Sequence, residues 1–483
     1  MSATRSSVRA QRAGRGAGQG AGRGSGQSRP GPLMEFVHRR RRGAELFLLI
    51  LSLFVGLGAY AAVGLGVDGE VPADIMAYGT WLAALVIAAH VTIRLKAAYA
   101  DPIILPIVSA LNGLGLAMIY RINLARPETT PSGRTQLVWM TIGVLLFIAV
   151  LVVLRDHRRL QAFTYTAGLS AIVLLLLPLV PGLGREVYGA RIWVRLGSMS
   201  FQPGEVAKVL LVIAFAGYLV LHRDALALAG RRFLFVDLPR GRDLGPIMAM
   251  WLVSLAILVF QNDLGSSLLF FGIFLVMLYV ATERPGWLVI GSGLFLLGAY
   301  FSYLLVPHVA ERVHVWLDPF NEAKGYQIVQ GMYGMAWGGL TGRGLGEGSP
   351  QITPFGYSDF IAASIGEELG LTGLMAVIVL YGILVERGLR TALICRDSFG
   401  KLVASGLAVV FALQIFVVIG GVTKLIPLTG LTTPFLSYGG SSLVANWAIV
   451  ALLLRISDQA RRPPPEFSAG SDDMDATQVV RLR

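Results

Sequence analysis

The chain is short of charge, of cysteine and of acidic residues. Asp, Glu, Lys and Arg make up 14% of its 483 residues against 54% hydrophobic ones, where a soluble domain carries about a quarter charged. That excludes a water-exposed globular domain as the main architecture. One cysteine, Cys395, excludes an intrachain disulfide, and no Cys/His spacing suggests zinc or an iron–sulfur centre. The stretch before residue 43 holds no long apolar run, so no cleavable signal peptide is expected. Basic residues outnumber acidic ones, 41 to 29. The Arg/Gly-rich opening "RSSVRAQRAGRGAGQGAGRGSGQSRP" invites a nucleic-acid reading. A disordered basic tail near anionic lipid accounts for it, and no nucleic-acid partner is expected.

What the chain has in quantity is apolar runs of about 17–22 residues, enough to cross a hydrocarbon core of about 30 Å as a helix. Twelve are predicted, at 44–63, 76–96, 103–120, 136–154, 160–180, 204–221, 244–260, 265–282, 287–306, 368–386, 402–423 and 440–455. In lipid every backbone amide needs an internal partner, so the expected fold class is an all-α polytopic membrane protein. Ten arginines before residue 43 place the N-terminus in the cytoplasm by the positive-inside rule. Alternation then makes the connections carrying Arg94 and Lys96, "RDHRR", 222–243, Arg284 and 386–401 inner ones. Together with the tails these hold 30 of the 41 Lys and Arg. Both termini are therefore expected in the cytoplasm.

Three predicted outer segments are more than connectors: 181–208, 307–367 and 424–442. Loops beyond about 15 residues are usually functional or disordered, and the aromatic and apolar spacing of the second argues against disorder. "QPGEVAKVL" places Glu205 and Lys208 at i and i+3. They suit a self-satisfied pair that orients the helix, or a Lys208 contact to an anionic substrate. Glu367, in "GEE", suits a dipole partner in a helix's first turn or one of two carboxylates at a site. "QNDLGSS" at 261–267 sets Asp263 between two apolar runs, as a helix N-cap or as a partly buried base. "PLTGLTTPFLSYGG" is too rich in Pro and Gly for a regular helix and too apolar for a solvated loop. It is expected to be a broken or re-entrant segment lining a cavity. "GGLTGRGLG" lacks the Lys–Ser ending of a phosphate-cradling loop and reads as a close-packed turn.

In order, "GARIWVRLG…SFQPGEVAK", "QNDLGSS", "WLDPF…GYQIVQGMYGMAWGGLTGRGLG", "SDFIAASIGEELGLTG" and "PLTGLTTPFLSYGGSS" resemble the SEDS proteins. These are the RodA/FtsW/SpoVE group of peptidoglycan polymerases, and the resemblance covers about 103–456. The first two helices resemble an addition to a ten-helix family core. With "LTTPF" and a short C-terminal tail, they are most similar to the actinobacterial RodA branch. The chain departs from the family's pattern at Asn262, where proline is usual, at Gly204 in "QPGE", and at Val418 and Lys424. The expected division is a basic cytoplasmic tail at 1–42, two accessory helices at 43–100, a polymerase core at 101–458 and a flexible tail at 459–483. The large extracytoplasmic loop falls between helices 9 and 10.

The resemblance implies glycosyl transfer, joining lipid II units at the outer membrane face and releasing undecaprenyl pyrophosphate. A sugar 4-hydroxyl is a poor nucleophile and needs a carboxylate to take its proton. The leaving pyrophosphate is a stable anion and needs cations rather than an acid. Asp263 matches the family's proposed catalytic aspartate and is the expected base. Asp359, in "SDFIA", matches a second family aspartate implicated in activity, with N-capping as its ordinary alternative. Of the outer cations Arg185, Arg191, Arg195, Lys208, Arg312, Lys324, Arg343 and Lys424, a cluster of Arg191, Arg195 and Lys208 is favoured for the pyrophosphate. Glu205, Lys324, Gln327, Glu367, Ser437, Ser441 and Ser442 complete the candidate substrate contacts. No metal ligands are assigned. A divalent cation such as Mg2+ is an alternative source of positive charge, and no cofactor is otherwise implied.

The implied partners are lipid II, a class B penicillin-binding protein transpeptidase docking through membrane helices, and other elongasome or divisome proteins. Two other readings stay open. One is a lipid II flippase, which the helix count and broken segment suit. The other is a non-catalytic scaffold, which would tolerate Asp263→Asn.

Overall fold

The computed structural model describes residues 41–463, apart from 129, 131–132, 188, 197–198, 224–230, 234–235 and 239–240. The tails expected at 1–42 and 459–483 lie outside the described residues up to 40 and from 464. Nine helices precede the long loop: α1 (Arg42–Asp68), α2 (Ile75–Lys96), α3 (Ile104–Ala125), α4 (Gly133–Val153), α5 (Thr164–Leu176), α6 (Pro203–Leu221), α7 (Gly241–Phe260), α8 (Leu264–Thr282) and α9 (Gly286–Leu305), counted among the described residues. The loop holds α10 (Pro307–Leu317), α11 (Tyr326–Gly338) and α12 (Ile361–Glu368). After it come α13 (Gly370–Ile394), α14 (Ser398–Val422) and α15 (Gly440–Arg461).

Eleven helices among the described residues are long and apolar enough to cross a membrane, counting α5 with its flanking 3-10 turns as His157–Leu179. The twelfth predicted span is α7, whose apolar part is the shorter Gly245–Phe260 and which carries Pro246. Every predicted run thus has its helix, and the chain is a multi-pass membrane protein.

Burial divides the helices into central and peripheral ones. The most apolar stretch of α3 and of α15 is 89% buried, whereas that of α9 is 6% buried and exposes Leu294, Leu297, Phe301 and Leu305. A helix apolar all round with its side chains bare is one that lipid covers. Small residues let less buried helices approach the central ones. At Gly56 of α1 and Gly113 of α3 a Cβ on either would lie 2.9 or 2.7 Å from the other's Cα. Gly143 likewise makes room for the Trp447 ring.

The segment 181–201 is a three-stranded antiparallel sheet, β1 (Gly184–Val187), β2 (Ala190–Leu196) and β3 (Met199–Phe201), in the order β1-β2-β3. Val187 pairs with Ala190 and Leu196 with Met199, and a register shift falls between Arg185 and Val187. A two-stranded ladder, β4 (Arg231–Phe233) with β5 (Val236–Leu238), precedes α7.

Candidate active site

Asp263 is the N-cap of α8: its Oδ1 accepts a 3.0 Å hydrogen bond from the Ser266 amide. The residue before it, Asn262, has φ 59, a left-handed conformation that Asn tolerates and proline, locked near −65°, cannot adopt. The side chain of Asn262 donates to Gly189 O at 3.0 Å, and Gln261 O accepts from the Arg191 amide. The β1–β2 hairpin is thus tied to the turn that carries Asp263. The departure from proline therefore has a local reason: this turn is left-handed and anchored by an amide side chain.

The segment 424–439 is irregular, as its composition predicts, and side chains satisfy its backbone. Gln414 of α14 donates to Thr432 O, Gln136 of α4 donates to Ser437 O and accepts from the Gly439 amide. Ser437 Oγ accepts from the Thr433 amide and donates to Ser358 O, and the Tyr438 amide donates to Tyr357 O. Ser441 Oγ accepts from the Gln202 amide, and Ser442 Oγ from Thr432 and Asn446. Of the three predicted serines, Ser437 and Ser442 hold this segment in place, while Ser441 takes the amide that precedes α6. A Cβ on Gly265 would lie 2.8 Å from Thr429 O, so the first turn of α8 presses on the same segment.

Arg312 of α10 donates to the carbonyls of Leu428 and Thr429 at 3.1 and 3.3 Å. Its charge acts on both Asp263 and Asp359. Asp359 accepts from Ser358 Oγ at 3.1 Å and more distantly from Gln327 Nε2 at 3.4 Å. It is not the N-cap of α12, a position held by Phe360. Burial pushes Asp263 above the ordinary carboxylate value, against the Ser266 hydrogen bond and Arg312. Burial likewise pushes Asp359 up to about 6, against Ser358, Gln327 and Arg312.

The other predicted residues divide. Glu205 and Lys208 form the expected i,i+3 pair at 2.5 Å, both buried, with Lys208 also donating to Gln414 at 3.1 Å. Arg191 and Arg195 stand exposed on β2, Arg191 paired with the exposed Glu186 at 2.9 Å. The favoured trio of cations therefore does not share one environment. Alternation along β2 turns its arginines outward while Lys208 faces the helix core. Lys324 is exposed and paired with Glu311 at 2.7 Å. Glu367 and Glu368 do not sit in the first turn of a helix but end α12. Glu367 accepts from the Ser349 amide at 2.6 Å, and Glu368 pairs with Arg121 of α3 at 2.7 Å. Four positive-φ glycines, Gly339, Gly342, Gly344 and Gly346, make the predicted close-packed turn beside them.

Two residues that sequence reasoning passed over matter here. Arg312 was one outer cation among eight, and only the packing of α10 on 428–429 separates it from the rest. Gln414 reads as an isolated amide in an apolar run, a signal that was there to be weighed. Among the described residues no group of three carboxylate, His or Cys donors converges at Asp263.

A bundle of membrane helices with buried carboxylates beside an irregular segment defines a class, the polytopic membrane proteins. Residues 102–462 match the FTSW_RODA_SPOVE family model, described as "Cell cycle protein", and the chain belongs to that family. It is 48% identical over 430 residues to the peptidoglycan glycosyltransferase RodA of Mycobacterium tuberculosis, covering 88% of this chain and 92% of that one. With the probable peptidoglycan glycosyltransferase FtsW of Geobacter metallireducens it shares 34% identity, over 75% of this chain and 96% of that one. A solved peptidoglycan synthase complex, described as coordinating polymerization and crosslinking, matches with TM-score 0.60 and 29% identity, over 75% of this chain and 98% of the solved one. The rod shape determining protein RodA of Thermus thermophilus matches with TM-score 0.54 and 27% identity, over 76% of this chain and 98% of that one.

Proposed function

We propose that the chain is a peptidoglycan glycosyltransferase that polymerises lipid II at the outer face of the bacterial cytoplasmic membrane, with Asp263 as general base. The observation that carries this is Arg312, bonded to the irregular segment at Leu428 and Thr429, with its charge acting on two buried carboxylates, Asp263 and Asp359. Asp263 takes the proton of the acceptor sugar hydroxyl as its oxygen bonds to the donor's anomeric carbon. The anomeric C–O bond breaks with inversion, and its electron pair leaves with undecaprenyl pyrophosphate. Arg312 supplies positive charge at that end, and Asp359 is the second carboxylate. Residues 101–458 make the catalytic core in this reading, and the inner-loop charge places both termini in the cytoplasm. The crosslinking half of the related complex points to a class B penicillin-binding protein as partner, within the elongation or division machinery.

The test separates the base from the cap. Asparagine caps a helix about as well as aspartate, so Asp263→Asn should keep the melting temperature. It should cut glycan formation from purified lipid II by about 10²–10⁴-fold, with or without the partner, on a glycan-length gel. Equal polymer from wild type and Asp263→Asn would sink the assignment. The flippase reading is disfavoured because the candidate carboxylates and the broken segment all lie at one end of the helices. Polymer made by the wild-type chain alone would exclude the scaffold.

A further inference from the structure

At the end of α13 remote from α12, a helix about 37 Å long for its 25 residues, three side chains gather that the polymerisation chemistry does not use. His157 opens the 3-10 turn before α5, Cys395 follows α13, and Asp397 caps α14 through the Gly400 amide at 2.7 Å. Asp397 Oδ1 lies 3.1 Å from His157 Nε2 and 3.5 Å from Cys395 Sγ. All three donor atoms lie within 4.8 Å of one another. Sequence spacing hid the group, because His157 and Cys395 belong to different connections. Gly400 leaves room where they converge: a Cβ there would meet His157 Nε2, and would lie 2.7 Å from Cys395 Sγ and 3.0 Å from Asp397 Oδ2.

The hydrogen-bond pattern around His157 calls for a cation at Nε2. Gln459 Nε2 donates to Arg155 O at 2.9 Å, which leaves Gln459 Oε1 as an acceptor for His157 Nδ1. With the Nδ1 proton committed there, the Nε2 lone pair faces a carboxylate and a sulfur, and something positive must lie between them. We infer that His157 Nε2, Cys395 Sγ and Asp397 bind a zinc-class divalent ion, with Gln459 orienting the imidazole. Bond lengths of about 2.0 Å to N and O and 2.3 Å to S in a tetrahedron put ligand atoms roughly 3.3–3.5 Å apart, close to the 3.1 and 3.5 Å that separate Asp397 Oδ1 from His157 Nε2 and Cys395 Sγ. A mixed S, N, O set selects Zn2+ over Mg2+ or Ca2+, which take oxygen. The Cys395 proton is released as the thiolate binds, and the fourth position is left to water. Arg158, 3.4 Å from Asp397 and 60% exposed, gives up only a surface ion pair. The ion would staple the α4–α5 and α13–α14 connections, while Gln459 adds the end of α15.

Because Cys395 is the only cysteine, a thiolate-to-metal optical band has one possible source. The full chain, purified untagged in detergent under reducing conditions, should carry about one zinc per chain. In its metal-free form it should bind added Co2+ with a thiolate-to-cobalt absorption band. Cys395→Ser should lose both, and Gln459→Leu should weaken Co2+ binding by about 10–100-fold. A folded, monodisperse wild-type chain showing neither zinc nor the cobalt band would overturn the inference and leave a proton between His157 and Asp397. Zinc retained at the same level by Cys395→Ser would overturn it equally, as metal held elsewhere. Neither result depends on whether the chain polymerises lipid II.

Discussion

A carboxylate that is to accept a proton must first be without one. Asp359 faces Arg312 of α10, Gln327 of α11 and its neighbour Ser358, and burial still carries it from 3.8 to about 6. The proposed base, Asp263, is likewise held above the ordinary carboxylate value by burial, so initial rates of polymerisation should rise with pH above the usual carboxylate range and then flatten. Arg312→Gln removes the cation that pulls Asp263 and Asp359 down, so the rising limb should move to higher pH. A rising limb that stays where it was would deny Arg312 this role. The linkage to folding has the opposite sense. The folded chain holds the Asp359 proton more tightly than the unfolded chain, so its contribution to stability is full below about 4 and falls as pH climbs to about 6. At this scale much was legible. A charge between two apolar runs marked Asp263, and i,i+3 spacing marked the Glu205–Lys208 pair. Choosing Arg312 from eight cations was not, since the choice rests on contacts between α10 and residues more than a hundred positions away.

Helices were legible because a membrane makes length and apolarity do the selecting: each predicted run met a helix, though α3, α13 and α15 run five, eight and six residues past the predicted ends. The hairpin at 184–201 was not read, although "ARIWVRL" has apolar residues at every second position and its two arginines on the other face, with the period of a strand and Trp193 between them. Its shortness and its place between two apolar spans hid the signal. "GEE" was misplaced for a related reason: Gly370, at φ 68, breaks the run between α12 and α13, so both glutamates close one helix instead of opening another. The turn at 261–263 yields a sharp expectation. Asn262→Pro cannot take φ 59 and loses the bond to Gly189, so it should destabilise by more than about 1 kcal/mol. Asn262→Gly, read in the same thermal unfolding assay in detergent, should cost less. If proline proves neutral, the turn has another conformation open to it.

Across the molecule, one buried ion pair joins α3 to the long loop between α9 and α13. Arg121 donates to Glu368 and to Gly348 O, and the Gly346 amide donates to Glu368 as well. Removing one partner leaves a buried charge, so Arg121→Met should cost about 3–5 kcal/mol in detergent unfolding, with Glu368→Gln in the same chain restoring part of it. Orientation can be read directly. In intact cells carrying Cys395→Ser, a Lys324→Cys chain should react with a membrane-impermeant maleimide, and the wild type's Cys395 should not. Labelling of Cys395 alone would invert the membrane topology drawn from charge.

The contact of α1 with α3 at Gly56 and Gly113 continues outward, where a Cβ on Gly66 would meet Leu345 O and lie 3.0 Å from Gly346 Cα. Gly346 is the residue whose amide reaches Glu368. The stretch matching the family begins at 102, yet the wall that seats this glycine-rich turn comes from residues before it. Cutting the chain at the family boundary is then no neutral trim, and the two leading helices are not exchangeable luggage. Whatever relative is grafted onto this core must bring, at one spot, a backbone with no side chain at all.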